Sequence, residues 1–326
     1  MVTVETRLRR GKVLTPSAIP CLQRLPTINI TLGCAHGCGY CYIQGYANYP
    51  GVDRVVLFVN TLEALREELA RARTKPRRVF FSPSSDPFQY QPEVREVTLR
   101  SMRTLLEAGV EVAFLTKGFV TSECFELFRD YPKQVIAQFG VTTTNQSVSR
   151  AIEPRAAPPR MRIDAIQKLT RMGVSCTARL DPLFPDVTDT EPNLSELMPQ
   201  LSAAGIVRGS ASFLFIRGAF RAKVKSAYAE LGGGFGAFRW AAQTFSENCG
   251  PAEMLDRDSR AERMSRVIAI GARFGVNISA CTCKNPDFPG PGCAIAGNTL
   301  EPWQSDPGLF GPEQLSGRLP DGPGRI

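Results

Sequence analysis

The most informative part of this 326-residue chain is the run Gly33-Cys34-Ala35-His36-Gly37-Cys38-Gly39-Tyr40-Cys41-Tyr42. The run has the spacing Cys-x3-Cys-x2-Cys and directly follows a segment with the pattern of a β-strand. Thiolates are the usual ligands of iron–sulfur clusters, and a cubane cluster has four irons, so three local cysteines leave one iron open to another ligand. His36 is the only histidine in the chain, and a zinc site made of it and the three cysteines is the alternative.

The run resembles the cluster loop of the radical S-adenosylmethionine (SAM) enzymes, and within them that of spore photoproduct lyase and its relatives. The closest likeness is in Cys38-Gly39-Tyr40-Cys41-Tyr42-Ile43-Gln44. Further matches follow in the order of the family, at Ser82-Pro83-Ser84-Ser85-Asp86, Leu115-Thr116-Lys117, Glu153-Pro154 through Arg162 and Ala165, and Arg179-Leu180-Asp181-Pro182. The resemblance covers residues 27–185, and this chain is a divergent member because it also has a C-terminal group of cysteines.

The resemblance implies that Cys34, Cys38 and Cys41 hold a 4Fe–4S cluster whose open iron binds the amino and carboxylate groups of SAM. An electron from the cluster then cleaves the sulfur–carbon bond and leaves a 5′-deoxyadenosyl radical. An external donor such as flavodoxin or ferredoxin is implied as the source of the electron. The cofactor carries the difficult chemistry, and the protein positions the radical and excludes water.

Several side chains near the cluster loop are candidates for binding SAM. Tyr40, between the last two ligands, can lay its ring against the adenine, with ordinary packing as the alternative. Ser84, Ser85 and Asp86 lie just past the carboxyl end of a predicted strand, where short polar side chains can meet the methionine ammonium. Asp86 precedes a proline, so a helix cap or a turn is the alternative for that residue.

Lys117 and Thr142 follow two further predicted strands. Lys117 supplies a cation for the SAM carboxylate, with a solvated lysine as the alternative. Thr142 could bond the ribose or the carboxylate, although threonine is also an ordinary strand residue. Arg179 and Asp181 are two residues apart, so strand alternation puts them on one face, and we interpret them as catalytic residues in the barrel mouth. An internal ion pair is the alternative for these two.

Tyr42 and Pro83 bear on the reaction. Tyr42 matches a tyrosine of the hydrogen-transfer route of the lyases and is a further catalytic candidate. The lyases carry, in the loop matching residues 82–86, a cysteine that returns a hydrogen atom to the repaired base. The matching position here is Pro83, which has no such hydrogen, so repair of a DNA photoproduct is not favoured.

A second group of cysteines occurs near the end of the chain, in Cys281-Thr282-Cys283-Lys284 and at Cys293. The array Cys-x-Cys-x9-Cys in a loop rich in glycine and proline predicts an auxiliary metal site, and three ligands would again leave an iron open if the site is a cubane cluster. Cys21 or Cys249 could be a fourth ligand. A structural zinc ion or incidental cysteines are the alternatives.

Strand patterns alternate with helix patterns along the chain and predict an α/β fold with a parallel sheet. Functional groups are then expected on the loops at the carboxyl ends of the strands. About six units predict a partial (β/α)6 barrel, as the resemblance also implies. The predicted strands are 27–32, 55–59, 79–81, 110–115, 135–141, 174–180, 207–215 and 276–279, and the main predicted helices are 94–108, 122–130, 161–172, 194–204 and 260–274.

The predicted organisation has three parts. Residues 1–26 form a basic arm interrupted by prolines, which cannot continue regular structure. Residues 27–215 form the partial barrel. Residues 216–326 form a helical, loop-rich and cysteine-bearing extension with the auxiliary cluster.

Composition limits the cellular setting and the partners. Ten cysteines without an export signal or an apolar run of membrane-spanning length favour metal ligation in a reducing cytoplasm over disulfides. The net charge of +8 suggests an anionic partner. Because there is no dense basic block with interleaved aromatic residues, duplex DNA is possible but not favoured.

Together these observations predict a radical SAM enzyme that modifies a nucleoside, a nucleotide or a phosphorylated small molecule. Sulfur insertion or rearrangement that uses the auxiliary cluster is the favoured reaction type. The first alternative is a DNA repair enzyme similar to spore photoproduct lyase. The second is a zinc-stabilised nucleic-acid-binding module without catalysis.

Overall fold

The computed structural model describes residues 1–17, 19–23, 25–244, 251–285 and 287–288. Its strands are β1 (Thr3–Arg7), β2 (Thr27–Ile28), β3 (Thr31–Leu32), β4 (Arg54–Phe58), β5 (Arg78–Phe81), β6 (Glu111–Thr116), β7 (Val135–Gly140), β8 (Ser175–Leu183), β9 (Arg208–Phe213), β10 (Phe215–Ile216), β11 (Trp240–Thr244), β12 (Pro251–Leu255) and β13 (Asn277–Ala280). Its α-helices are α1 (Thr61–Arg71), α2 (Pro92–Glu107), α3 (Ser122–Asp130), α4 (Gln146–Ile152), α5 (Pro159–Arg171), α6 (Glu191–Ala203), α7 (Gly218–Glu230) and α8 (Arg257–Arg273).

The central element is a seven-stranded parallel sheet with the strand order β13-β9-β8-β7-β6-β5-β2. Helices α2, α3, α5, α6 and α8 connect or flank these strands, and their apolar stripes pack on one face of the sheet; α2, for example, buries Val94, Met102 and Leu105. The predicted α/β partial barrel with parallel strands is confirmed. The sheet has seven strands rather than about six because two short strands, β2 and β13, form its edges.

Three glycines each end a helix and begin the connection to a strand of the main sheet. Gly109, Gly173 and Gly205 have φ values of 78°, 83° and 92°. Each lies between a helix and the following strand of the sheet. Residues with a Cβ rarely adopt these values, so glycine is suited to the left-handed position that stops the helix and redirects the chain.

The predicted strand 27–32 is wrong as a single element, because the chain changes its pairing partner in the middle. The Ile28 carbonyl accepts a hydrogen bond from Ser82 N at 2.7 Å, next to β5. The Ile30 carbonyl instead accepts one from Phe58 N at 3.1 Å, so β3 joins a second sheet with the order β1-β4-β3. An alternating pattern of polar and apolar residues shows extended structure but not which strand it pairs with.

The N-terminal residues also differ from the predicted arm. Residues 3–7 form β1, which pairs in parallel with β4. The strand-like segment 55–59 therefore belongs to this second sheet and not to the barrel. Val2 and Val4 pack against the main core, and Arg9 N donates to Asn60 Oδ1 at 2.7 Å, so the first residues are fixed before the prolines begin.

The face of the main sheet opposite the helices is partly filled by residues 19–25. Leu22 and Leu25 are buried against Phe80 and Ala113, and Ile19 and Cys21 pack on the same cluster. The neighbouring residues Phe81 and Phe114 belong to the core on the helical side. Because side chains alternate across a strand, the N-terminal segment must lie on the inner face of the partial barrel.

A small antiparallel sheet with the order β10-β12-β11 and helix α7 adjoin the barrel. Strand β13, which falls in the region predicted as an extension, is an edge strand of the main sheet. Among the helices that the structure describes, none combines the length and the apolar character needed to cross a membrane.

Candidate active site

A cavity of about 220 Å³ opens at the carboxyl ends of the barrel strands. The cysteine loop forms one side of it, and the loops after β5 and β6 form the next. Strand β8 and the turn after β13 form the opposite wall, and the N-terminal segment contributes Ile19, Cys21 and Leu22. The cavity thus brings together residues from both ends of the chain.

Cys34, Cys38 and Cys41 all line this cavity and are half-buried. The loop that carries them needs glycine at two positions. Gly33 has a φ of 76°, and a Cβ there would lie 2.6 Å from the Arg54 carbonyl oxygen. Gly37 has a φ of 67°, and a Cβ there would lie 2.5 Å from Nη2 of Arg155. Burial raises the pKa of all three thiols, so they are protonated without a metal and would release protons on binding one.

Hydrogen bonds from distant elements clamp the cysteine loop. Ala35 N donates to Gln89 Oε1 at 2.7 Å, and the Ala35 carbonyl accepts from Arg155 Nε at 2.7 Å. Gly39 N donates to the Ile152 carbonyl at 3.1 Å. The segment between α4 and α5 therefore holds the loop from behind, which fixes the direction in which the thiols point.

Tyr40 is held by a buried carboxylate. Its hydroxyl donates to Glu153 Oε1, and Glu153 Oε2 is 2.6 Å from Arg162 Nη1. Burial disfavours the charged form of Glu153, but Arg162 and Lys117 outweigh it and hold its pKa below the ordinary value. The Tyr40 ring packs against Phe184 with a centroid distance of 5.8 Å, so the packing alternative is realised while one side of the residue still lines the cavity.

Asp86 ties three segments together. Its carboxylate accepts hydrogen bonds from Phe88 N, Thr116 Oγ1 and Lys117 N, each at 2.8 Å. It also lies 3.5 Å from His36 Nδ1. These contacts realise the turn alternative, because the carboxylate joins the ends of β5 and β6 to the cysteine loop. A role of Asp86 in binding SAM stays a prediction.

His36 lines the cavity and is buried. Burial lowers its pKa below the ordinary value, although Asp86 acts in the opposite direction, so the imidazole is neutral at pH 7. No group of three His, Cys, Asp or Glu side chains in the described ranges is arranged to hold a single metal ion. A cluster makes a different demand, because each thiolate binds a different iron.

The loop after β5 contains two hydroxyl groups that suit a polar ligand. Ser82 Oγ and Ser85 Oγ are buried on the cavity wall and have no hydrogen-bond partner within the described residues. Ser82 also has a φ of 55°, which is costly for a residue with a Cβ and is most often found at binding sites. Such buried, unpaired hydroxyls fit a cofactor that brings ammonium and carboxylate groups.

The other predicted SAM-binding residues are divided. Lys117 lines the cavity, with Nζ 5.7 Å from the centre of the Tyr40 ring. Ser84 and Thr142 are not among the described residues that line it. Ser84 N donates to Asn29 Oδ1 at 3.0 Å, and the Thr142 carbonyl accepts from Asn193 Nδ2 at 2.9 Å, so these contacts support the loops.

Arg179 and Asp181 lie on one face of β8 and line the cavity, as strand alternation predicts. They form an ion pair, with Arg179 Nη2 2.7 Å from Asp181 Oδ2. Lys284 Nζ donates to both oxygens of the same carboxylate at 2.7 Å. Burial disfavours the charge on Asp181, but Lys284 and Arg179 outweigh it and lower its pKa. The ion-pair alternative is therefore realised inside the candidate active site.

Tyr42 is fixed at the edge of the loop after β5. Its hydroxyl donates to the Pro83 carbonyl, and burial raises its pKa well above the ordinary value. Its ring lies 6.4 Å from that of Phe215, another cavity residue. Tyr42 is thus a neutral phenol in contact with Pro83, the residue at the position where the sequence resemblance predicts a cysteine in the lyases.

The predicted auxiliary cysteines are only partly described. Cys281 Sγ and Cys283 Sγ are 3.1 Å apart, and Cys283 lines the cavity. Cys293 and Cys249 lie outside the described residues. The hydrogen bond with Cys21 lowers the pKa of Cys283, but the one with Cys281 and burial outweigh it and raise the value to about 12.

Comparison with known proteins shows which family this arrangement represents. The family model of the Radical SAM superfamily matches residues 28–198, more than half of the chain. The chain belongs to the radical SAM superfamily. Membership supports an enzyme whose family uses a 4Fe–4S cluster and SAM, and it does not support the non-catalytic zinc module.

Individual radical SAM relatives are distant. A protein of Mycobacterium tuberculosis described as uncharacterized is 28% identical over 225 residues, which cover 64% of this chain and 66% of that protein. The chain thus spans just under two thirds of that relative. The radical SAM Nα-GlyT isomerase of Pseudomonas phage M6 is 28% identical over 173 residues, which cover 53% of this chain and 35% of the isomerase.

Solved structures of spore photoproduct lyase have the same fold. One variant matches with a TM-score of 0.65 at 14% identity, covering 85% of this chain and 82% of the lyase. Another, with bound SAM and a dinucleoside spore photoproduct, matches with a TM-score of 0.64 at 14% identity, covering 84% and 81%. The resemblance seen in the sequence motifs is confirmed at the level of fold.

Sequence reasoning missed several residues of the radical SAM site. Lys284 lines the cavity but was given no role beside the neighbouring cysteines, and Arg217, which also lines it, belongs to no recognisable motif. Glu153 and Arg162 were included among the segments that resemble the family, but no role was predicted for them. The structure shows that they form a buried ion pair. A charged residue at a buried position was the available signal for Arg162, which lies on the apolar stripe of α5 together with Ile163, Ile166 and Leu169.

Proposed function

We propose that this radical SAM enzyme cleaves SAM and uses the resulting radical to modify a nucleoside, a nucleotide or a phosphorylated small molecule. One observation carries the proposal: three loop cysteines and two buried, unpaired serine hydroxyls face the same cavity. When bound, the cluster and SAM supply a 5′-deoxyadenosyl radical. The cavity walls, made largely of apolar surface, exclude water from it.

Different residues around the cysteines are proposed to bind different groups of SAM. Ser82 and Ser85 offer hydroxyls to the polar end of SAM, and Lys117 offers a cation to its carboxylate. Ser84, Asp86 and Thr142 were also predicted to bind SAM. In this proposal they contribute indirectly, because their hydrogen bonds hold the loops that line the site. Tyr40 provides an aromatic wall whose orientation is fixed by Glu153.

The opposite wall is proposed to meet the substrate. Arg179, Asp181 and Tyr42 are the proposed catalytic residues, since all three line the cavity and are held by hydrogen bonds. Arg217 adds a cation whose Nε is buried without a partner among the described residues. A positively charged wall in a chain of net charge +8 favours a phosphate-bearing substrate. The dinucleoside bound by a structural neighbour supports a nucleoside component.

A second iron–sulfur cluster at Cys281, Cys283 and Cys293 is also part of the proposal. Cys283 lines the cavity and Cys281 is in contact with Cys283, so such a cluster could bind substrate, relay an electron or surrender sulfur. This supports sulfur insertion or rearrangement as the reaction. The alternative is DNA repair of the spore photoproduct lyase type.

The experiment is an anaerobic turnover assay on the reconstituted protein with SAM and reduced flavodoxin, ferredoxin or dithionite. A panel of nucleotides is compared with the corresponding nucleosides and phosphorylated sugars, and both 5′-deoxyadenosine release and substrate consumption are measured by chromatography. We expect one phosphorylated compound or nucleoside to be consumed in step with 5′-deoxyadenosine. SAM cleavage without consumption of any of these compounds would refute the proposed substrate class. A level of 5′-deoxyadenosine no higher than that of a Cys38→Ala control would refute the proposed radical function.

A further inference from the structure

Cys21 is far from Cys281 and Cys283 in the sequence, but the three side chains are in contact beside the cavity. Cys283 Sγ is 3.1 Å from Cys281 Sγ, and it also forms a hydrogen bond with the side chain of Cys21. Cys21 and Cys283 both line the cavity. No sequence spacing connects Cys21 with the other two, so their contact is a property of the fold.

The turn that carries Cys281 and Cys283 is rigidly built. Cys281 N donates to the Ala211 carbonyl at 2.8 Å, which attaches the turn to β9. The Cys281 carbonyl accepts from Lys284 N at 3.1 Å and from Asn285 N and Nδ2, each at 2.9 Å. Asn285 is fully buried and accepts a hydrogen bond from Arg260 Nη1 at 2.8 Å. These hydrogen bonds fix the backbone of the turn that carries the two cysteines.

Cys21 is fixed from the other side. It lies in a short 3-10 turn, Pro20–Leu22, in which Leu22 N donates to the Ile19 carbonyl at 2.8 Å. Leu22 and Leu25 are buried against the inner face of the sheet. These contacts hold Cys21 against the turn after β13, and none of the three cysteines is in a disulfide.

Two cationic side chains, Arg179 and Lys284, lie beside these sulfur atoms. Arg179 Nη2 donates to Cys281 Sγ at 3.1 Å. Arg179 and Lys284 together carry two positive charges, whereas the Asp181 that they share carries one negative charge. One positive charge is therefore left over beside the thiols, and it can offset part of the charge that thiolates bring when they bind metal.

We propose that Cys21 is a further protein ligand of the second iron–sulfur cluster, beside Cys281 and Cys283. This inference rests on the proposed function, which includes a second cluster, and it adds a ligand from the N-terminal segment. The metal would join residues 19–25 to the edge strand β13 and thereby close one wall of the active-site cavity.

The cluster would require a local rearrangement. In the described part of the chain no three donors converge on a single ion, and Cys283 lies between Cys21 and Cys281 in the chain of contacts. Because the thiolates of a cluster bind different irons, the Cys281 and Cys283 sulfur atoms would move apart from their present 3.1 Å contact. Two thiols in such contact could instead oxidise to a disulfide, which is a distinct outcome.

The test counts metal rather than turnover. A full-length variant with Cys34, Cys38 and Cys41 replaced by Ala leaves only the second site, and it is purified without oxygen and reconstituted with iron and sulfide. In this background, iron, zinc and acid-labile sulfide per chain are measured for Cys21→Ala, Cys21→Ser and Cys283→Ala. Cys176→Ala is the matched control, because Cys176 is a half-buried cysteine on β8 that packs against the core on the helical side.

We expect the background variant and Cys176→Ala to retain iron and sulfide, and Cys21→Ala to lose them to the same extent as Cys283→Ala. Cys21→Ser should retain part of the cluster with a shifted electron paramagnetic resonance spectrum, because oxygen replaces sulfur at one iron. Circular dichroism spectra that match the control show that the loss is not due to unfolding.

Three results would overturn the inference. They are full iron retention in Cys21→Ala, zinc without sulfide at the site, and a disulfide detected by mass spectrometry in the anaerobic background variant. Full retention in Cys21→Ala alone leaves the proposed second cluster intact. SAM cleavage by the parent enzyme, measured separately, tests the radical function independently of all three.

Discussion

The buried pair of Glu153 and Arg162 allows a quantitative test of how the cluster loop is supported. The two side chains are 3% and 1% exposed, with Glu153 Oε2 2.6 Å from Arg162 Nη1. Glu153→Gln keeps the shape of the side chain and an acceptor for the Tyr40 hydroxyl, so it removes mainly the charge. Leaving a buried guanidinium without its counter-ion costs about 3–5 kcal/mol, and we expect the free energy of unfolding to fall by that amount.

An exposed pair of the same residue types provides the control. Arg71 Nη2 is 3.1 Å from Glu67 Oε2, but the side chains are 79% and 62% exposed. Glu67→Gln should change stability by about 0.5 kcal/mol or less. Both ion pairs join a glutamate to an arginine, so the difference in stability loss between the two substitutions reports the effect of burial.

The assay is anaerobic equilibrium denaturation in urea, followed by far-ultraviolet circular dichroism for Glu153→Gln, Arg162→Met and the double variant. Arg162 also donates to the Gly140 and Ala157 carbonyls, so the double variant remains destabilised. The losses in free energy of unfolding of the two single variants should nevertheless add up to about 2–3 kcal/mol more than the loss of the double variant.

The pH dependence has a defined sign. The pKa of Glu153 is depressed in the folded protein, so its stabilising contribution is present above the unfolded pKa and is lost as pH falls through the folded one. The difference between the parent and Glu153→Gln should shrink accordingly on acidification. A loss below about 1 kcal/mol at neutral pH, typical of a surface pair, would refute the reasoning.

Three further predictions concern the active site. Replacing Cys34, Cys38 and Cys41 together by Ala should abolish 5′-deoxyadenosine formation and remove about one cubane of iron while the second site keeps its metal; continued cleavage would reject the cluster assignment. Ser85→Ala should weaken SAM binding about tenfold in calorimetry, since a hydrogen bond to a charged group is lost; unchanged affinity would show that the hydroxyl does not contact SAM. Because the sequence resemblance predicts that Pro83 occupies the position of the hydrogen donor, thymine photoproduct DNA should not support repeated turnover, and efficient repair would overturn that expectation.

The cysteine loop and the strand–helix alternation were predictable because both are local properties of the sequence. Spacing alone selected Cys34, Cys38 and Cys41, which all line the cavity, and two-residue periodicity correctly predicted that Arg179 and Asp181 share one face of β8. Cysteine spacing and strand periodicity can be read without knowing how the strands and helices pack together.

Features that depend on distant parts of the chain were not predictable. The contact of Cys21 with Cys283 arises only because residues 19–25 fill the inner face of the sheet. The break between β2 and β3 likewise reflects two different pairing partners, which no local pattern encodes. Asp86 was open to two interpretations because its three donors come from residues far apart in the sequence or from the backbone.

The position of β13 at the edge of the sheet has a consequence for biogenesis. Ribosomes make the N-terminal part of a chain first, so the cysteine loop emerges long before the residues of the turn after β13. Until that strand pairs with β9, the loop thiols lack the wall formed by Cys283 and Lys284 and remain accessible to the proteins that deliver iron and sulfide. Insertion of a cluster is therefore easiest before the edge strand β13 pairs, and this topology favours an order of assembly with the cofactor first and closure of the active site last.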